Sequence, residues 1–237
     1  MTRVRVVSRG SAGTVTHTLE RRSSGVRPSP SRAAPILIRS DHEGGENMPN
    51  VFDVLREDHQ EVLRALAELE SGPPATSASA EQPAAREKLV EHLIIEESKH
   101  EAVEEEFFWP AVRDRVPDGD RLADHAVEQE QAAKHVLNDL IGLKADDPKF
   151  DELVRGFIAD GREHIAYEET SVWPELRKAL SAEEADDLGT RLQQGKKAAP
   201  TRPHPHTPPK PGLLKTAGPA IAAADRVRDA VTRRGKG

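Results

Sequence analysis

Between residues 51 and 192 apolar side chains return every three or four positions in a series of long stretches, the period of an α-helix with one face in a core. In the first stretch Val51, Leu55, Val62, Leu66 and Leu69 make one stripe. It predicts a helix over about 51–70, stopped by the run Gly72-Pro73-Pro74. The same period predicts helices over about 84–115, 120–142 and 149–179. Pro117-Asp118-Gly119 and Asp146-Asp147-Pro148 divide the last three, and both are turn sequences. Short joints make successive helices antiparallel, so the expected architecture is an all-α, up-down-up-down four-helix bundle. Ser181 followed by Glu184 has the form of a capping box and predicts a short fifth helix to about Leu192.

Ionisable residues interrupt these apolar stripes. His59 stands in the first helix where the stripe demands Leu or Val. Leu89, Leu93, His100, Glu104 and Phe107 lie close to one face of the second helix, and Leu153, Phe157, His164, Glu168 and Val172 to one face of the fourth. In the third helix the row Leu122, Ala126, Ala133, Leu137, Leu140 has a gap that Glu130 fills. His125 and His135 each lie five positions from Glu130, about 140° around a helix, so neither shares its face and both belong at the surface or behind the site. A carboxylate at a core position must be protonated, hydrogen-bonded or bound to a cation.

Two of these interruptions repeat. His100 is followed by Glu104-Glu105 and then Trp109-Pro110, and 64 residues later His164 is followed by Glu168-Glu169 and Trp173-Pro174 in the same frame. One His with a Glu four residues on is common in helices, whereas two copies of the extended frame are not an accident of composition. Residues four apart lie one turn apart on the same face and can offer an imidazole nitrogen and a carboxylate oxygen to one cation or an adjacent pair. The Trp-Pro pairs are expected to kink or loosen both helices one turn beyond, because Pro lacks a backbone donor. Phe107, Phe108, Trp109, Phe157 and Trp173 read as core packing. The chain has no Cys, which excludes thiolate metal sites, iron–sulfur clusters and disulfides and leaves imidazole and carboxylate as ligands.

At these residues the chain resembles the hemerythrin-like, HHE cation-binding family, over about residues 50–180. The resemblance implies that His59, His100, Glu104, His164 and Glu168 are ligands of two non-haem irons, with the two Glu bridging the metals. It departs on the third helix, where Glu130 in Glu128-Gln129-Glu130-Gln131-Ala132-Ala133-Lys134 stands where the family usually has His. Three carboxylates and two divalent ions leave one positive charge, and a hydroxo or oxo bridge would bring the site close to neutral. Nitrogen and oxygen ligation suits iron and also admits manganese or zinc. The implied activity is binding or sensing of O₂, NO or peroxide in redox or stress handling. An anionic Glu in place of a neutral His favours the ferric state, which weighs against reversible O₂ carriage. The alternatives are a di-iron enzyme that decomposes peroxide, catalase-like or oxidase-like, and a metal-free bundle acting through its surfaces. A ferritin-like centre needs Glu-x-x-His on two helices; Glu97-Ser98-Lys99-His100 supplies one, but Gly161 occupies the matching place before His164.

Charge changes the picture outside the bundle. The net charge of −7 conceals an acidic body, residues 48–195, with 16 Lys/Arg against 35 Asp/Glu, and a basic tail, residues 196–237, with 10 against 2. Residues 1–47, rich in Arg, Ser, Gly and Pro, read as a disordered arm or as untranslated, with Met48 a candidate start. Residues 48–192 form the expected domain. Residues 193–237 read as a solvated, Pro-rich basic tail with one weak amphipathic helix; contact with nucleic acid or membrane is the alternative, without the interleaved aromatics that would strengthen it. With no apolar run near 20 residues and no signal-peptide pattern, the expected location is the cytoplasm.

Overall fold

A computed structural model of the chain describes residues 49–72, 82–207 and 213–232, all within one compact unit, residues 44–237. The extension through Met48 and the Pro73-Pro74 stop lie outside the described residues. Among the described residues eight α-helices follow in order: α1 Val51–Ser71, α2 Gln82–Val103, α3 Trp109–Arg115, α4 Gly119–Leu140, α5 Pro148–Tyr167, α6 Trp173–Ala179, α7 Ala182–Ala198 and α8 Leu213–Thr232. Among the described residues there is no strand. A five-residue π turn, Glu104–Phe108, joins α2 to α3, and a second, Glu168–Val172, joins α5 to α6, so each pair is one long interrupted helix.

The four long helices close a ring in which α1 contacts α2 and α5, and α4 contacts α2 and α5. This is the four-helix bundle the stripes predict. Local chemistry sets the helix starts. Asn50 caps α1 by accepting from Phe52 N–H, and Asp147 caps α5 by accepting from Lys149 N–H. Asp118, with φ 64°, turns the chain into α4, and Gly119 follows because a Cβ there would lie 2.2 Å from the Val112 carbonyl oxygen.

The expected kinks take a specific form. In each π turn the Trp N–H bonds five residues back, Trp109 to the Glu104 carbonyl and Trp173 to the Glu168 carbonyl, just before the Pro that cannot donate. The inserted residue moves the register after Glu104. Phe108, fully buried, therefore takes the inward place that a regular helix gives to Phe107, and Phe107 packs partly buried beside Gly195 of α7.

The apolar core is divided in two. One cluster holds Leu55, Val103, Phe108, Ala126, Val172 and Leu192; the other holds Val62, Leu66, Ile94, Leu137, Phe150 and Ile165. In every helix of the bundle the residues between the clusters are the ionisable ones, His59, His100, Glu130 and Glu168 among them.

Beyond α6 the described chain adds α7 and α8, the second falling where a weak helix is expected in the tail. The capping box at Ser181 and Glu184 forms, but α7 runs past the expected Leu192 to Ala198 and lies along α1, burying Ala185, Leu188 and Leu192. Beyond it, Thr201 and Arg202 bond to Asp229, and His204 meets Asp225 at 2.9 Å. These two Asp, the only acidic residues of the tail, hold α8 against the chain that precedes it. None of the described helices is long and apolar enough to cross a membrane.

Candidate metal centre

The layer between the two apolar clusters contains His59 from α1, His100 from α2, Glu104 and Glu168 from the first residues of the two π turns, Glu130 from α4 and His164 from α5. The structure brings all six sequence-selected residues together. They form two overlapping sets whose ligand atoms lie within 4.8 Å of one another. One set is His59, His100, Glu104 and Glu168; the other is Glu104, Glu130, His164 and Glu168. Glu104 and Glu168 belong to both and are completely buried. Each helix contributes at the same depth because the ligands sit at matching positions in antiparallel helices.

All three imidazoles point Nε2 inward. Nε2 of His59 and of His164 each lie 3.1 Å from a Glu168 oxygen, and Nε2 of His100 lies 3.1 Å from Glu104 Oε2. Each Nδ1 has an acceptor on its outer side: Glu169 at 2.9 Å for His59, Asp58 at 3.2 Å for His100 and Gln129 at 3.1 Å for His164. A proton held at Nδ1 leaves the Nε2 lone pair free, which is the tautomer a metal ligand needs. Glu130 is fixed differently, accepting a 2.5 Å hydrogen bond at Oε1 from the Trp109 indole N–H. Trp173 stacks on His59 with ring centroids 5.0 Å apart. The two aromatics expected to serve only as packing thus touch the site.

The electrostatics are strained without a cation. Burial, reinforced by the Glu168 charge, raises the Glu104 carboxyl, and burial with the Glu104 charge holds Glu130 well above the usual range. Burial opposes the charged form of His164, yet the Glu168 carboxylate outweighs it and pushes the group up to about 10. His100 also rises well above its ordinary value, its burial outweighed by Glu104 and Asp58. Glu168, although buried, is held low by His164 and His59. Nε2 of His59 and His164, both oxygens of Glu104 and of Glu168, and Oε2 of Glu130 make no directed hydrogen bond. Buried polar atoms are seldom left so, and this many converging on one point fits cations better than protons.

Sequence reasoning missed the surrounding groups. Asp58, the Nδ1 partner of His100, also pairs with Lys196 of α7. Glu101 is buried near Lys134, which pairs with Glu105, and burial pushes Glu101 up to about 8. Glu97, named above only for the Glu-x-x-His pattern, is nine-tenths buried on the same face of α2. Asp58 and Glu169 sit next in sequence to inward residues, the position that borders a neighbouring helix, and this was the available signal. His92, His125 and His135 are exposed; His92 pairs with Glu61 and His125 packs on Tyr167.

The sequence profile of the Hemerythrin HHE cation binding domain matches residues 50–176. An uncharacterized hemerythrin-like protein of Schizosaccharomyces pombe is 25% identical over 183 residues, 77% of this chain and 86% of that protein. A DNA nickase of Nostoc is 23% identical over 147 residues, 62% of this chain but 39% of that enzyme. Among solved structures, a hemerythrin HHE cation binding domain-containing protein from Mycobacterium kansasii superposes with a TM-score of 0.52 at 21% identity. That match covers 75% of this chain and 99% of that one.

Proposed function

Because the chain belongs to the Hemerythrin HHE cation binding domain family, we propose that it is a non-haem di-iron protein that binds or senses O₂, NO or peroxide in oxidative or nitrosative stress handling. The observation that carries this reading is the pair of ligand sets sharing Glu104 and Glu168, two four-residue sites with a common carboxylate edge. His59 and His100 would hold one iron and His164 and Glu130 the other, with Glu104 and Glu168 across both. Bound iron supplies the redox couple and the open coordination positions at which a small ligand adds.

The chain's own residues do the rest. Asp58, Glu169 and Gln129 orient the three imidazoles, and Trp109 orients Glu130. The two apolar clusters restrict water on either side. A cavity of ≈ 330 Å³ between α2, α4 and α5 reaches His59, His100, Glu130 and His164 and gives a small ligand room beside the ions. Glu130 favours the second reading, an enzyme that decomposes peroxide, over reversible O₂ carriage, because an anionic ligand from α4 would lower the potential of an iron bound there. A metal-free bundle must hold the Glu104, Glu130 and Glu168 carboxyls with protons, three imidazoles and the Trp109 indole alone and leaves Glu130 Oε2 without a hydrogen bond, and the geometry argues against it.

Elemental analysis and near-ultraviolet spectra of the purified chain test the proposal. About two irons per chain with an oxo-bridge absorption are expected, both lost in Glu104→Ala and in His164→Ala. A folded chain that stays metal-free after iron loading would sink it.

A further inference from the structure

The cavity beside the centre has a charge pattern of its own. No lysine or arginine lines it. Its rim carries Glu128 of α4 and Asp160 and Glu163 of α5, all exposed, and none of the three is ion-paired with a described residue. Solvated carboxylates are common, so the rim alone carries little. The interior supplies the independent observation. Glu97 lines the cavity, is nine-tenths buried and makes no hydrogen bond with a described residue. Behind it Glu130, 1% exposed, leaves Oε2 without a hydrogen bond, and His164 turns Nε2 inward beside Glu168.

We propose that this cavity is the path by which the centre takes up metal, with hydrated divalent transition cations gathered at Glu128, Asp160 and Glu163 and handed through Glu97 to Glu130 and His164. The inference rests on the metal-centre reading above and adds a route and a residue to it. A concave acidic mouth with low-dielectric walls concentrates cations at its opening. Inside, a buried carboxylate compensates for water lost from the ion. Neutral molecules pass such a mouth freely, and anions are slowed.

The test uses the full chain stripped of metal and Co²⁺ alone, followed by stopped-flow absorption and by bound cobalt per chain. The rim variant combines Glu128→Gln, Asp160→Asn and Glu163→Gln. A control, Glu68→Gln with Glu152→Gln and Glu183→Gln, removes the same charge elsewhere on the exposed surface. At low ionic strength the rim variant is expected to take up cobalt on the order of 10-fold more slowly, reaching the same final amount, while the control keeps the parent rate. Added salt should slow the parent and hardly change the rim variant. Glu97→Gln, with the rim intact, should also be slow. Equal rates for rim variant and control would overturn the route and leave the metal centre standing. Failure of the parent chain to bind cobalt would overturn both.

Discussion

Trp109 and Glu130 form the contact on which the character of the centre turns. Trp109→Phe removes the 2.5 Å bond to Glu130 Oε1 and should weaken metal binding by roughly 10–100-fold, with the fold kept. Unchanged affinity by competition with a chelator would show that the indole does not position this carboxylate. Glu130→His exchanges an anion for a neutral ligand, and the midpoint potential of the iron-loaded chain should rise; a potential that stays put would remove Glu130 from the ligand set. Protonation gives a further expectation. Without a cation His164 is pushed up to about 10, so near neutrality it holds a proton that a cation must displace, and the upward shifts of Glu104 and Glu130 act in the same direction. Uptake should therefore release protons, and affinity should climb with pH from neutrality toward 10. Calorimetry in two buffers of different ionisation enthalpy reads the release directly, and its absence would count against the assignment. The six inward residues were legible in the sequence because each breaks an apolar stripe. Asp58, Gln129 and Glu169 were not, since their role depends on which neighbouring helix they face, and periodicity within one helix carries no such information.

At the level of elements, α7 is tightly seated. A Cβ on Gly189 would lie 1.9 Å from the Pro49 carbonyl oxygen and 2.7 Å from Val51 N, so backbone meets backbone where α7 crosses the start of α1. Gly189→Ala should cost about 1–3 kcal/mol in denaturant unfolding. Loss of stability below a few tenths of a kcal/mol would mean the two helices slide apart freely. The four bundle helices and the capping box of α7 were readable from spacing alone. The length of α7 was not, because Gly195 is retained by its fit against Phe107 and Lys196 by its pairing with Asp58, both tertiary contacts. The π turns were half legible: Trp-Pro announced a break, but only the three-dimensional register shows that the break swaps Phe107 for Phe108 at the core. In the tail the weak amphipathic helix was readable but its seating was not, because the two Asp that tie α8 down are outnumbered by the basic residues around them.

Across the whole molecule, a polar layer cuts one apolar interior into two. The stripped protein must keep several buried charges and protons at its waist, so metal binding and folding stability are linked. A divalent ion at a hundred times its dissociation constant should add roughly 2.7 kcal/mol to unfolding. Thermal scans with and without metal check this, and coincident curves would mean the ions bind the unfolded chain equally well or not at all. The same layer has an optical consequence. The chain has two tryptophans and one tyrosine, and both indoles sit at the waist, one bonded to Glu130 and one stacked on His59. Nearly all of the protein's intrinsic fluorescence therefore originates within contact of the centre. Its quenching is a built-in gauge of how the site is filled, readable without a label and blind to events elsewhere on the surface.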